Sequence, residues 1–155
     1  MTMEVAEVPL YFQSIQHLKR CYSDRIAIKA GLEIEFHPRH AGLFKQIVDD
    51  FAFDVIGSSI HQVDGIDIVS GGSARSTSFP DPEHLQSRYL ETLEMMLTHD
   101  YFDIICHLDL PKKFGDRLSP HFKERLADIL FQAADRNLAV EVNTSGFDHP
   151  AAEAY

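Results

Sequence analysis

Short apolar runs alternate with amphipathic stretches along the whole chain, and that alternation limits its folds more than any other feature. Residues 8–22 predict a helix, with Tyr11, Ile15, Leu18 and Tyr22 recurring on one face. Residues 26–36 then read as a strand, stopped by Pro38. A second helix is expected over 41–52, where Phe44, Ile47, Val48 and Phe51 keep the spacing of a buried stripe. Residues 53–61 form the next strand candidate, and 62–82, rich in Gly, Ser and Asp, read as a long loop. Asp81 and Pro82 together make a helix start, a capping side chain followed by a preset φ. That helix should run to about His99. A third strand is expected over 102–110, a helix from Ser119-Pro120, and a fourth strand over 138–146. Strands separated by helical crossovers predict an α/β fold with parallel strands and outer helices, in a single domain over 1–155.

In such folds chemistry collects at the C-terminal ends of the strands. Each strand candidate carries suitable groups there: Glu33 and Glu35, then His61, then His107 and Asp109, then Glu141 and Asn143. Strands this apolar have little reason to hold unpaired charges, because burying one costs several kcal/mol. A carboxylate and two imidazoles at equivalent points of successive strands, Glu33, His61 and His107, suit a transition-metal site. The other histidines read differently. His17, His84, His99, His121 and His149 fall on helix faces, helix ends or the tail and read as solvated, while His37 and His40 flank Pro38 in a turn. Lys112 and Lys113 follow the His107 strand and could hold a substrate phosphate, although a solvated charged turn fits the same pattern.

Composition removes several alternatives. There are 14 Lys and Arg against 24 Asp and Glu, a formal net charge of −10, which argues against nucleic acid as a partner. No apolar run approaches the roughly 20 residues that span a bilayer, so no membrane partner is expected. The N-terminal residues lack a signal-peptide pattern, and Cys21 and Cys106 have the spacing of neither a zinc pair nor a disulfide framework. The chain therefore reads as cytoplasmic, with reduced thiols. No phosphate-binding loop, dinucleotide fingerprint or serine-hydrolase elbow is present.

Five segments in order, MTMEVAEVPLYFQSI, IAIKAGLEIEFHP, FDVIGSSIHQVDG, FDIICHLDLPKKFG and EVNTSGF, resemble successive parts of the histidinol-phosphate phosphatases of the PHP superfamily. The resemblance extends over essentially the entire chain. It implies part of a distorted (β/α)7 TIM-like barrel that binds up to three divalent ions, Zn, Mn or Fe, at its C-terminal rim. Matched motif by motif, Glu33 would be a carboxylate shared between metals, and His61 and His107 would each be a metal-binding imidazole. Asp64 and Asp109 would orient those imidazoles, and Asn143 would face the same rim. The implied reaction, in histidine biosynthesis, is metal-assisted hydrolysis of L-histidinol phosphate, a small phosphorylated substrate, to L-histidinol and phosphate.

The family's His-x-His and T-D-H segments, and its G-S-D-x-H segment, have no counterpart in these 155 residues. The family's usual Gly before the second imidazole is Cys106 here. The resemblance therefore implies a central, incomplete portion of the domain, inactive as a lone chain and open to self-association through exposed sheet edges. The same departures suit a non-catalytic truncated module or protein-interaction fragment that kept the half-barrel, and a third reading is another PHP-type phosphoesterase, which the acidic balance and the EVNTSG and HLDLPKKF segments disfavour.

Overall fold

The computed structural model describes residues 3–70 and 81–155. A four-stranded parallel sheet in the order β1-β2-β5-β6 organises them, built from Gly31–Glu35, Val55–Ser59, Ile104–Ile105 and Ala139–Val140. A separate antiparallel hairpin, β3 (Gln62–Val63) and β4 (Ile66–Asp67), follows β2. Four helices accompany the strands: α1 (Val8–Cys21), α2 (Ala41–Asp50), α3 (Pro82–Met96) and α4 (Pro120–Asp135).

Both helix starts read from the sequence form as expected. The Asp81 side chain accepts from Glu83 N at 3.0 Å, with Pro82 opening α3. Ser119 Oγ accepts from Phe122 N at 3.1 Å, with Pro120 opening α4. Past the end of α4, Asn137 takes φ 58°, and the amides of Asn137 and Leu138 return to the carbonyls of Ala134 and Ala133. This left-handed residue turns the chain out of the helix and into β6.

One face of the sheet makes the core. Ile34, Ile56, Ile60 and Ile105 join Leu85, Tyr89, Leu90, Leu93 and Met96 of α3 and Phe122 and Ile129 of α4 in a single buried cluster. Strand residues alternate between faces, so Glu33, Glu35 and Gly57 point away from this core. Burial on one face therefore aims polar groups toward the other. The strands are joined in register, Glu33 opposite Gly57 and Ile34 opposite Ser58, with Ser58 in turn opposite Ile105 and Ile105 opposite Val140. Among the described residues no helix is long and apolar enough to cross a membrane.

Four elements differ from their expected extents. The first strand begins at Gly31 rather than 26, because its partner β2 begins only at Val55 and Asp54 takes the amide of Ala30 at 2.7 Å. The third strand is only two residues long: His107 adopts φ 32° and ends the extended run. The expected 62–82 loop contains the β3–β4 hairpin, turned by Asp64 (φ 52°) and Gly65 (φ 77°), the pair of positive φ values that an Asp-Gly turn of the I′ kind supplies. Residues 71–80 of that loop lie outside the described residues. The fourth strand likewise gives way to a 3₁₀ turn, Thr144–Asp148.

Ile105 is fully buried at the centre of the parallel sheet. Replacing it with Ala should cost about 2–5 kcal/mol of stability, measured by urea unfolding, without changing the far-UV spectrum of the folded state.

Candidate metal centre

Three strand ends bring the predicted triad together. Glu33 lies within β1, His61 two residues beyond β2, and His107 two residues beyond β5. His61 Nε2 and His107 Nε2 are 2.8 Å apart, and Glu33 Oε1 lies 3.7 Å from the first and 3.9 Å from the second. The two imidazoles are stacked, with centroids 4.9 Å apart and planes 10° from parallel. These are the residues, among those described, whose donor atoms converge as a metal-binding group would.

The donor set fits a divalent transition ion. A circle through those three atoms has a radius of about 2 Å, the length of a zinc bond to imidazole nitrogen or carboxylate oxygen. A point equidistant from all three donors therefore lies at bonding distance from each. The set is also asymmetric in exposure. His107 is 7% exposed, whereas the Glu33 side chain is 51% exposed, so the site is closed behind His107 and open beside Glu33.

Electrostatics favour the ligand form of His61. Burial, reinforced by the facing His107, holds its pKa below the ordinary 6.5, against the opposing pull of Glu35, Glu33 and Asp67. A neutral ring offers a lone pair. Burial likewise pushes Glu35 above the ordinary carboxylate value; His61 opposes that shift, while Asp67 and Glu33 add to it.

His107 is fixed from behind. Its backbone amide donates to Glu141 Oε2 at 2.8 Å, and its Nδ1 lies 3.1 Å from the same oxygen. Tyr89 OH donates to its carbonyl at 3.3 Å, and the Tyr155 ring meets the imidazole edge-on at 6.5 Å. Sequence reasoning placed Glu141 at a strand end but gave it no role. The signal was the strand register: Glu141 stands one residue past the Ile105–Val140 pair, and its amide donates to the Ile105 carbonyl at 2.9 Å.

The other residues singled out from sequence are held elsewhere. Asp64, expected to orient an imidazole, forms a two-point pair with Arg88, at 2.8 and 2.7 Å. Asp109, given the same role, pairs with Lys112 at 2.6 Å. Chain reversal explains both: Asp64 sits on the hairpin turn, and Asp109 follows the bend at His107 and leads a 3₁₀ turn. The two lysines also have protein partners. Lys112 reaches Asp109 and Glu153, and Lys113, 7% exposed, donates to the Val69 carbonyl at 3.0 Å. Asn143 caps the turn after β6, accepting from Ser145 N at 3.0 Å. His37 and His40 stand as a turn pair, rings 4.8 Å apart. Two histidines expected to be merely solvated pack against rings, His99 with Phe36 and Tyr101, and His149 with Phe114 and Tyr155.

Cys106, where the resemblance implies glycine, packs against Gly57 of β2. A Cβ on Gly57 would stand 2.7 Å from Cys106 Sγ, so the thiol fills the space that Gly57 leaves. Burial, with the nearby charges of Glu33 and Glu141, pushes this thiol up to about 12. It is a neutral filler between two carboxylates.

A parallel sheet carrying carboxylate and imidazole donors on its C-terminal rim defines an α/β protein of the metal-binding kind. Residues 2–145 match the PHP domain family, and the chain belongs to it. Its fold is the TIM-like α/β type of that family. A solved chain from Listeria monocytogenes superposes with a TM-score of 0.87 at 21% identity, covering 99% of this chain and 65% of that one. The histidinol phosphate phosphatase of Lactococcus lactis, solved with Zn, L-histidinol and phosphate, gives a TM-score of 0.75 at 27% identity over 94% of this chain and 57% of that one. The probable histidinol-phosphatase of Deinococcus radiodurans is 29% identical over 154 residues, 99% of this chain and 58% of that protein. The chain thus spans a little over half the length of the curated relatives it matches.

The lowered pKa of His61 makes metal-free stability depend on pH. Above 6.5 the ring is neutral both folded and unfolded, and the contribution is complete. As pH falls below 6.5 the unfolded chain takes up the proton first, and stability is lost until the folded value is passed. Glu35, raised in the fold, contributes in the opposite sense: its stability is full below 4.5 and is lost as pH rises through the folded value. In chelator-treated protein, urea unfolding between about pH 7 and 5 should therefore show a smaller loss for His61→Asn than for wild type. Parallel pH profiles for the two would contradict the assignment.

Proposed function

We propose that this chain, as one PHP domain portion, carries part of the metal site of a phosphoric monoester hydrolase that converts L-histidinol phosphate to L-histidinol and phosphate. The observation that carries the proposal is the ring of three donor atoms, Glu33 Oε1, His61 Nε2 and His107 Nε2, whose size suits a divalent ion. The substrate comes from likeness to the Lactococcus lactis enzyme, whose structure holds Zn, L-histidinol and phosphate. Zn is the first candidate ion, with Mn or Fe as alternatives for the same donors.

In this reading Glu33, His61 and His107 hold the ion. Bound there, it supplies positive charge for phosphoryl oxygens and lowers the pKa of a water molecule. The chain's own groups do the rest of the positioning. Burial favours the neutral ring of His61, and the exposed side of Glu33 leaves the approach open to a small anion. Tyr89, Glu141 and Tyr155 close the opposite side around His107. Lys112 and Lys113 are left out of phosphate recognition, since their ammonium groups are committed to Asp109, Glu153 and the Val69 carbonyl. Both cysteines are free thiols, in keeping with a cytoplasmic setting, which forms part of the proposal.

The test starts from chelator-stripped protein titrated with Zn and with Mn. Wild type should bind tightly, and His61→Ala and His107→Ala should each weaken binding at least tenfold. Phosphate release from histidinol phosphate should require the added metal and disappear in His107→Ala. A panel containing a phosphodiester separates this substrate from those of other PHP phosphoesterases. A wild-type chain that binds neither ion overturns the proposal.

A further inference from the structure

We infer that Glu141 is the positioning residue of this site: it presets His107 as the Nδ1–H tautomer with its Nε2 lone pair facing Glu33 and His61, before any ion arrives. The inference deepens the metal-centre reading and rests on it for its affinity consequence, but the preset tautomer is a property of the metal-free chain.

The geometry begins with one oxygen. Glu141 Oε2 accepts the His107 backbone amide at 2.8 Å and lies 3.1 Å from the His107 Nδ1. A carboxylate oxygen held that close to a bare ring nitrogen would set lone pair against lone pair. Nδ1 therefore carries the proton and donates it. In the neutral ring Nε2 is then an acceptor, and it is this atom that stands 2.8 Å from His61 Nε2 and 3.9 Å from Glu33 Oε1. The backbone cooperates. The left-handed φ of His107 and the Tyr89 bond to its carbonyl fix where the ring begins, and Glu141 fixes how it is turned.

His61 is not held in the same way. The contact between the two Nε2 atoms needs a proton, and with His107 as acceptor that proton belongs to His61. The carboxylate behind His61, Glu35, stands 4.0 Å from its Nδ1, beyond hydrogen-bond reach. The two imidazoles thus differ in readiness. His107 already presents a lone pair, whereas His61 must move its ring proton from Nε2 to Nδ1 before it can serve as a ligand. Carboxylates behind metal-binding histidines are worth 10–100-fold in affinity. Of the two imidazoles, and among the described residues, only His107 has one in contact.

Ring-nitrogen NMR on ¹⁵N-histidine-labelled, metal-free protein at pH 8 reads the tautomers, with His107→Gln assigning the signals. His107 should be protonated at Nδ1 and His61 at Nε2. Addition of Zn should leave the His107 tautomer unchanged and move the His61 proton to Nδ1. Glu141→Gln should bind Zn about tenfold more weakly in chelator competition and Glu141→Ala still more weakly, while metal-free Glu141→Gln unfolds close to wild type. A metal-free His107 protonated at Nε2 overturns the inference, as does wild-type Zn affinity in Glu141→Gln. Should wild type bind no Zn, the phosphatase reading fails, and the metal-free tautomer still decides the role of Glu141. Should the variants fail to fold, the wild-type spectra decide alone.

Discussion

Parallel pairing of β2 with both of its neighbours is the constraint on which the rest of the molecule depends. Because β1, β2 and β5 run in one direction, their chain exits lie at one rim, and side chains borne just inside or beyond those exits meet. Antiparallel pairing at either seam would send one donor to the opposite end of the sheet. The pairing is itself held by burial. Ile34, Ile56 and Ile105 share one buried core with α3 and α4, and sliding β1 by one residue would exchange Ile34 for Glu33 or Glu35 there. The register that buries aliphatic groups on one face therefore sets the position of Glu33 on the other.

At that rim, several acidic groups surround two imidazoles. Glu33, Glu35 and Asp67 all bear on His61, and Glu141 bears on His107. Such crowding of carboxylates is costly without positive charge, which is the state a bound cation relieves. Local lysines do not relieve it. Lys112 and Lys113 follow His107 closely in sequence, yet the chain spends them on joining distant segments, Glu153 in one case and Val69 in the other. The basic turn is thus a fastening between the hairpin, the His107 bend and the C-terminal segment.

Much of this was readable from residues alone. Asp81-Pro82 and Ser119-Pro120 carry their capping chemistry locally, and both helices start where those pairs stand. Glu33, His61 and His107 were legible because parallel α/β topology tells where strand ends go. Other features were not, for identifiable reasons. The shortening of the third strand depends on the backbone of His107, a residue type that adopts positive φ without announcing it. The Asp64-Gly65 turn was announced, as an Asp-Gly pair, but Gly- and Ser-rich surroundings masked it. The partners of Asp64, Asp109 and the lysines are long-range or depend on turns, and Glu141 acquires its place only once β5 and β6 are in register. Local signals survive in a sequence; pairings between separate elements emerge with the fold.

The shared volume between Gly57 and Cys106 carries a consequence for how this family can vary. Two adjoining strands hold room for a single small side chain, and here β2 cedes it to the residue after β5. Relatives that carry glycine on the second strand vacate that room, and an alanine or serine arriving on the first could then occupy it. Exchanges at the two positions should accordingly be reciprocal across a lineage, with the combined bulk kept roughly constant while its strand of origin changes.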